Sequence, residues 1–139
     1  MRLKADDVRE VWASSGLSPQ EAMERMMYGP TLMTGAYVRG RLEMIFGVND
    51  NGYQKGMAAV WMVSSDVVYQ YGKSLLKLGR KWLDMQQKRY GLLFNFVDAR
   101  ATRTLKWLER MGFKFQDVPS YGVHGLPFVL VTRGEDNVL

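Results

Sequence analysis

Gly72, Lys73 and Ser74 stand where an apolar stretch, Met57 to Ser64, gives way to a basic amphipathic one, Lys73 to Arg89. A strand that passes through a glycine-containing turn into a helix N-terminus gathers backbone N–H groups and the positive end of a helix dipole at one point, which makes an anion cradle. Other chemistries are harder to build from these residues. The chain has no cysteine, so it offers no thiol nucleophile, no disulfide and no thiolate metal site. Its sole histidine, His124, sits in Tyr121-Gly122-Val123-His124-Gly125 and reads as a loop residue. Ser-His or Cys-His catalysis and a histidine-rich zinc site need more than this, and no metal site is expected.

The elements around the cradle follow from local signals. Ala5 to Ser15 and Ser18 to Tyr28 read as two short helices parted at Gly16. Ser18 with Glu21 forms a capping box, and Pro19 takes the first helical position, where its missing N–H costs nothing. Thr31 to Val38 and Arg41 to Val48 flank Arg39-Gly40 as a hairpin, and Asn49-Asp50-Asn51-Gly52 turns the chain into a third strand, Met57 to Ser64, whose continuous apolar run implies near-total burial. A polar loop from Ser64 to Ser74 leads to the basic helix, on which Leu75, Leu78, Trp82 and Met85 recur at core-packing spacing. Leu92 to Val97 is a short buried strand and Ala101 to Met111 a helix ended by Gly112. Phe113 to Val118 and Pro127 to Thr132 are two closing strands, with a polar tail from Gly134 to Leu139.

A length of 139 residues, 47% hydrophobic and 24% charged, predicts one globular domain over 1–139. No apolar stretch approaches the roughly 20 residues that span a bilayer, and acidic residues occupy the N-terminus where a signal peptide is apolar, so a chain neither secreted nor membrane-spanning is expected. The net charge of +5 is uneven: residues 1 to 60 balance seven Lys/Arg against seven Asp/Glu, whereas residues 73 to 114 set eleven Lys/Arg against Asp84, Asp98 and Glu109. Such a field suits a solvated helix face, a phosphorylated cofactor or nucleic acid reached through the basic helices. Against nucleic acid as the main partner, Trp82, Trp107 and Phe94 fall at core positions, leaving Tyr69 and Tyr71 as the aromatic candidates for stacking.

A three-strand meander followed by a right-handed strand-helix-strand crossover predicts an α/β (α+β) fold: a mixed, mostly antiparallel central sheet with helices on both faces. Within it Met57 to Ser64 and Leu92 to Val97 are adjacent and parallel, parting at their C-terminal ends. This order resembles the GNAT superfamily of acyl-CoA-dependent N-acyltransferases. The family's Gln/Arg-x-x-Gly-x-Gly/Ala loop falls on Tyr69-Gln70-Tyr71-Gly72-Lys73-Ser74, keeping the middle glycine, and its helix ending in Gly-Phe falls on Ala101 to Gly112-Phe113. The resemblance implies an acetyl-CoA site built from Val63, Ser64, Tyr69, Tyr71, Gly72, Lys73, Ser74 and Ala101. It also implies a pantetheine arm beside the end of the Met57 strand and a pyrophosphate on the N–H groups of Tyr71 to Ser74.

Two departures bear on the chemistry. Leu108 stands where the family has the tyrosine that protonates the departing thiolate, and the Met57 strand carries no carboxylate base, leaving Glu43 on its neighbour as the substitute. Little or no acetyl transfer is therefore expected, and acetyl-CoA binding is expected to be weak because Tyr69 and Ser74 stand where the family pattern has Gln/Arg and Gly/Ala. A narrower likeness, carried by Trp61 to Val67, Gly72-Lys73 and Asn95-Phe96-Val97, resembles the internal virion protein A group of podovirus-type phages. It implies a virion or assembly component in host cytoplasm and virion, with phage virion or host proteins as partners. The alternative is an acetyl-CoA-dependent N-acetyltransferase acting on a small amine or a protein amine.

Overall fold

The computed structural model describes residues 2–26, 29 and 32–134. The chain runs α1 (Ala5–Ser15), α2 (Pro19–Met26), β1 (Leu32–Val38), β2 (Arg41–Asn49), β3 (Met57–Ser64), a 3-10 helix (Asp66–Tyr71), α3 (Gly72–Arg89), β4 (Leu92–Asp98), α4 (Thr102–Arg110), β5 (Lys114–Tyr121) and β6 (Leu126–Gly134). The expected end of the second helix at Tyr28 and start of the first strand at Thr31 lie outside the described residues, as does the tail beyond Gly134. The capping box forms, with the Ser18 N–H on Glu21 Oε1 and the Glu21 N–H on Ser18 Oγ, each 3.2 Å.

One six-stranded sheet results, in the order β1-β2-β3-β4-β6-β5. Arg39 and Gly40 both take positive φ, the geometry of a tight hairpin turn, so β1 and β2 pair antiparallel. The crossover through α3 returns the chain beside β3, and β3 and β4 pair parallel as expected. One face of the sheet buries Val48, Val60, Leu93, Val97 and Val131 under α3 and α4, with Leu83, Met111 and Phe113 filling the layer between. The other face carries α1, which lies against β4 and buries Ala13.

Three local expectations are corrected. β3 alternates between buried and half-buried residues up to Trp61 because Ala58 and Val60 face the layer under α3 and α4, while Met57, Ala59 and Trp61 lie on the opposite face. The segment after β3 is not an open loop: Ser65 caps it by accepting from the Val67 N–H, Val68 anchors it in the core, and it winds into the 3-10 helix. On α3 the buried positions are Leu83 and Gln86, whereas Leu78 and Met85 are each 61% exposed. The helix is rotated so that Gly79 meets Met111, where a Cβ on the glycine would come within 2.9 Å of the Met111 sulfur.

The parallel pairing of β3 and β4 is short. It covers Met57 with Leu92, Ala58 with Leu93 and Ala59 with Phe94, and then the strands part. At the vertex sits Asn95, whose Nδ2 donates to the Val60 carbonyl at 2.6 Å while its Oδ1 accepts from the Phe96 N–H at 2.7 Å. A side-chain amide thus supplies one further rung after the backbone ladder has ended. Asn95→Leu removes both partners and leaves a carbonyl and an N–H unpaired in a partly buried place. With about 1–3 kcal/mol for each such group, the variant is expected to lose about 2–4 kcal/mol in urea unfolding; a loss under about 0.5 kcal/mol would show that the amide does not hold the vertex.

Candidate functional site

α1 lies across the open end of the gap and is tied to both strands. The Lys4 N–H donates to the Ser64 carbonyl at 2.8 Å, the Ser64 N–H to Asp7 Oδ2 at 2.8 Å, and Lys4 Nζ to both Asp7 Oδ2 (2.5 Å) and Ser64 Oγ (2.9 Å). That is the β3 end. At the β4 end, the Glu10 carboxyl lies beside the Asp98 backbone, as α1 packs against β4. Asp7 and Glu10, three residues apart on one helix face, therefore place one carboxyl at the terminus of each parted strand.

Their electrostatics differ. Burial pushes Asp7 above the usual carboxylate range, but the adjacent Lys4 ammonium and the Ser64 N–H pull in the other direction. Glu10 has no cationic side chain bonded to it, and burial raises it to about 8. The charge of Asp7 adds to the rise, the Asp98 backbone bond opposes it, and the Asp98 carboxylate adds again. Asp98 itself is driven up by burial yet ends below its ordinary value, because Arg100 grips it through Nε (3.0 Å) and Nη2 (2.7 Å). Two carboxyl groups one helical turn apart thus meet the same gap in different states, one tied to an ammonium and one protonated near neutrality.

Behind Glu10 a cavity of about 220 Å³ passes through the gap. Met62 and Asn95 line it at the strands, Trp82 on the α3 side, Trp107 and Leu108 on α4, and Asp7 and Glu10 on α1. Because its wall includes α1 on one face of the sheet and α3 and α4 on the other, the gap connects the two faces. Glu10 is crowded by protein yet keeps contact with this cavity, so its carboxyl is desolvated and still reachable. A second recess, of about 150 Å³, shares Met62, Thr104 and Trp107 with the first and opens beside Gly72, Tyr69 and Arg103. There the Arg103 guanidinium lies 3.6 Å over the Tyr69 ring, joining the 3-10 helix to α4.

Strand geometry decides which backbone groups face the gap. The Val60 carbonyl points toward β4, where it accepts from Asn95, so alternation turns the N–H and C=O of Met62 and Ser64 the same way and those of Val63 toward β2, where Val63 pairs with Ile45. Ser64 is fully buried and its N–H, C=O and hydroxyl are engaged by Lys4 and Asp7. The strand edge presented to a ligand is therefore Met62, not Val63 or Ser64. Ala101 is buried at the start of α4, in the core cluster. Glu43 is bonded through its carboxylate by the Ser65 hydroxyl and does not line the cavity.

The cradle keeps its form with a changed cause. Gly72 is not a turn residue: at φ −53° and ψ −43° it is the first helical residue of α3, and Tyr71 before it, at φ −120° and ψ 28°, breaks the helical run. No side chain caps α3. A Cβ on Gly72 would meet nothing within 4 Å, so the space in front of the uncapped N-terminus is open. Lys73 and Ser74 are exposed beside it, and Tyr69 and Tyr71 are half-buried. Leu108 lines the cavity at the position the family pattern assigns to tyrosine, and Thr104, one turn earlier, is the hydroxyl on that wall. These groups fit a phosphorylated thioester: helix N–H groups and cations for the phosphates, an unpaired strand edge for an amide-bearing arm, and an apolar passage ending at a carboxyl. Among the described residues no group of three or more metal-ligating side chains occurs, and no helix is long and apolar enough to cross a membrane.

Glu10 was missed by sequence reasoning, although a signal was present. On α1 the buried positions are Asp7 and Ala13, with Glu10 between them, while Trp12 is exposed. A helix that turns carboxylates inward and an indole outward is inverted relative to a core-packing helix.

No protein-family model matches the chain, and no curated protein matches it. Solved structures do. A protein from Streptococcus mutans UA159 superposes with a TM-score of 0.67 at 8% identity, over 85% of this chain and 78% of that one. An acetyltransferase of the GNAT family from Streptococcus pneumoniae gives 0.57 at 13% identity, over 82% and 72%. The aminoglycoside acetyltransferase AAC(6')-Ib, in complex with coenzyme A and kanamycin, gives 0.55 at 14% identity, over 74% and 66%. At such identities the likeness establishes the fold, which is that of the GNAT acetyltransferases. The narrower resemblance to phage internal virion proteins gains nothing from it.

The state of Glu10 has a thermodynamic consequence. Its pKa in the folded protein, about 8, lies above the ordinary 4.5, so between those values the folded chain holds a proton that the unfolded chain has released. Stability is then fully present below pH 4.5 and falls as pH rises toward 8, with a limiting slope of about 1.4 kcal/mol per pH unit. Urea unfolding from pH 5.5 to 8.5 is expected to show this decline in the native protein and a flatter profile in Glu10→Gln. Parallel profiles would place the carboxyl in solvent.

Proposed function

We propose that the chain is an N-acyltransferase that takes its acyl group from a coenzyme A thioester and delivers it to an amine arriving from the α1 side of the sheet. The observation that carries this reading is the passage between β3 and β4, which joins a recess at the uncapped α3 N-terminus to a carboxyl raised to about 8. The expectation of a scaffold without chemistry came from a missing acid, a missing base and the altered loop positions Tyr69 and Ser74. Glu10 supplies the base. The GNAT fold supports acyl transfer at the level of the superfamily, and coenzyme A bound to AAC(6')-Ib is a likeness in the same direction.

When bound, the thioester contributes an activated carbonyl and a good leaving group. The chain's residues do the rest. Gly72 to Ser74 offer N–H groups at a positive helix end, with Lys73 and Arg103 nearby, to hold phosphates. Met62 offers its N–H and C=O along the gap, so an amide-bearing arm can extend the sheet as a short added strand. The amine nitrogen bonds to the carbonyl carbon, the C–S bond breaks with its electron pair on sulfur, and the nitrogen's proton passes to Glu10. A carboxylate with a pKa near the working pH suits that transfer. Leu108 cannot protonate the thiolate, but a thiolate, the conjugate base of a far stronger acid than an alcohol or an amine, can depart without an acid.

Two variants separate the roles. Glu10→Gln is expected to lower kcat by about 10²- to 10⁴-fold and to abolish the limb of the pH–rate profile near 8, measured with acetyl-CoA and a panel of small amines and peptides. Unchanged kcat and profile would remove Glu10 from the chemistry. Gly72→Ala sits at an ordinary helical φ with open space in front, so folding is expected to be unaffected or up to about 1 kcal/mol more stable. Coenzyme A affinity in calorimetric titration should nevertheless fall about tenfold, or about 1.4 kcal/mol, because a methyl group intrudes on the approach to the helix N-terminus; retention of full affinity would place the phosphates elsewhere.

A further inference from the structure

The cavity behind the gap is larger than an acetyl group requires. Its lining extends from Ala36 on β1 to Val131 on β6, which spans four inter-strand spacings of about 4.8 Å each. An apolar cavity of about 150 Å³ accommodates a benzene-sized guest, and this one measures about 220 Å³. The phosphate recess is a separate volume that meets it at Met62, Thr104 and Trp107, so the space beyond that neck lies past the point where a thioester can face Glu10.

The two ends of the cavity are not alike. Toward β6 its wall is core: Leu83, Val97, Met111, Phe113 and Val131 are all buried. Toward β1 and β2 the wall is apolar and only partly covered. Ala36, Phe46, Leu75 and Trp82 are half-buried, and Leu78 is 61% exposed. Phe46 and Trp82 meet edge to face at 5.0 Å and form the floor of this arm. Leu75, Leu78 and Trp82 carry the helical spacing of a core stripe and all line this space, with Trp82 resting on Phe46. Apolar side chains arranged around a partly open channel suit an extended apolar guest, and the smallest of them, Ala36, marks where its end would lie.

We propose that the acyl donor is a medium-chain thioester, its tail about six to eight carbons long, lying between α3 and the β1–β2 hairpin with its end near Ala36. The proposal rests on the coenzyme A reading above and goes beyond it in the acyl group. The attacking nitrogen and departing thiolate are unchanged. What differs is where the alkyl chain goes: away from Glu10, toward the face of α3 that the protein leaves uncovered.

The test is titration of the intact chain with coenzyme A, acetyl-CoA, hexanoyl-CoA and octanoyl-CoA below their micellar concentrations. Heat and tryptophan fluorescence serve as readouts, since Trp82 and Trp107 line the cavity. Affinity is expected to rise from acetyl to octanoyl by at least about thirtyfold, within a ceiling of about fourfold per buried methylene. Ala36→Phe fills the end of the channel and is expected to bring octanoyl-CoA down to the acetyl-CoA value. Leu78→Glu, at an exposed position that tolerates the change, is expected to erase most of the gain and decides the matter if Ala36→Phe does not fold. Equal affinities for acetyl- and octanoyl-CoA overturn the chain-length proposal while leaving the donor class intact. The same holds for a chain-length gain that survives both substitutions. Failure of coenzyme A and all its thioesters to bind overturns the donor class and this proposal together.

Discussion

A parallel pair of strands in mid-sheet would normally stay paired, because each backbone group that leaves the ladder needs another partner. Here the pairing of β3 and β4 stops after Ala59 and Phe94, and the Asn95 amide takes over at the vertex, donating to Val60 and accepting from Phe96. Everything functional depends on that opening. Past it Met62 faces a gap and no neighbouring strand, the two faces of the sheet communicate, and α1 can lie across the parted ends, bonded to Ser64 on one side and packed on β4 beside Asp98 on the other. The same two anchors that hold α1 in place deliver Asp7 and Glu10 to the passage. Structure and site are therefore fastened by the same few hydrogen bonds.

Charge is distributed differently at the two ends of the passage. Basic side chains surround the α3 N-terminus and the exposed side of α4, whereas at the α1 end the carboxylates of Asp7 and Asp98 are matched by Lys4 and Arg100, with Glu10 beside them. An anionic donor would be drawn to the first end, and the nearly neutral second end does not repel an amine. Within the acidic group the neighbours decide the protonation states: Lys4 holds Asp7, Arg100 holds Asp98, and Glu10, lacking a comparable partner, carries the raised pKa. Tyr121 feels the same field, its phenol raised first by burial and then by Tyr53 and Glu10, while its ring packs edge-on to Phe96 at 4.2 Å. The aromatic layer beneath α1 thus borders the carboxyl that the chemistry would use.

Much of this was legible in the amino-acid order. The hairpin at Arg39-Gly40, the capping box and the crossover follow from local signals or from chirality, and the parting of two parallel strands was what the family resemblance implied. The site was less legible, for physical reasons. Which strand residue turns its backbone to the open gap depends on alternation phase, fixed by the register with β2 and not by residue type, so residue type alone did not point to Met62. The rotation of α3 depends on where Gly79 can approach Met111, which periodicity alone does not reveal. Glu10 lies far before β4 in the sequence, and only its place on an inward-facing stripe with Asp7 marks it. Gly72 was singled out for a turn it does not make; it opens α3, and its missing side chain leaves the space before the helix N-terminus empty.

The most direct test of the account is the pattern of backbone amide shifts in an ¹⁵N spectrum as coenzyme A is added. Binding through the parted strands predicts perturbations concentrated at Met62, at Gly72 to Ser74, and at Thr104 and Trp107 where the two cavities meet, with the β5 edge of the sheet silent. Perturbations confined to the exposed lysines and arginines of α3 and α4, with Met62 and Gly72 unmoved, would show that the anion is attracted by surface charge alone and would contradict the claim that the gap between β3 and β4 is a built site.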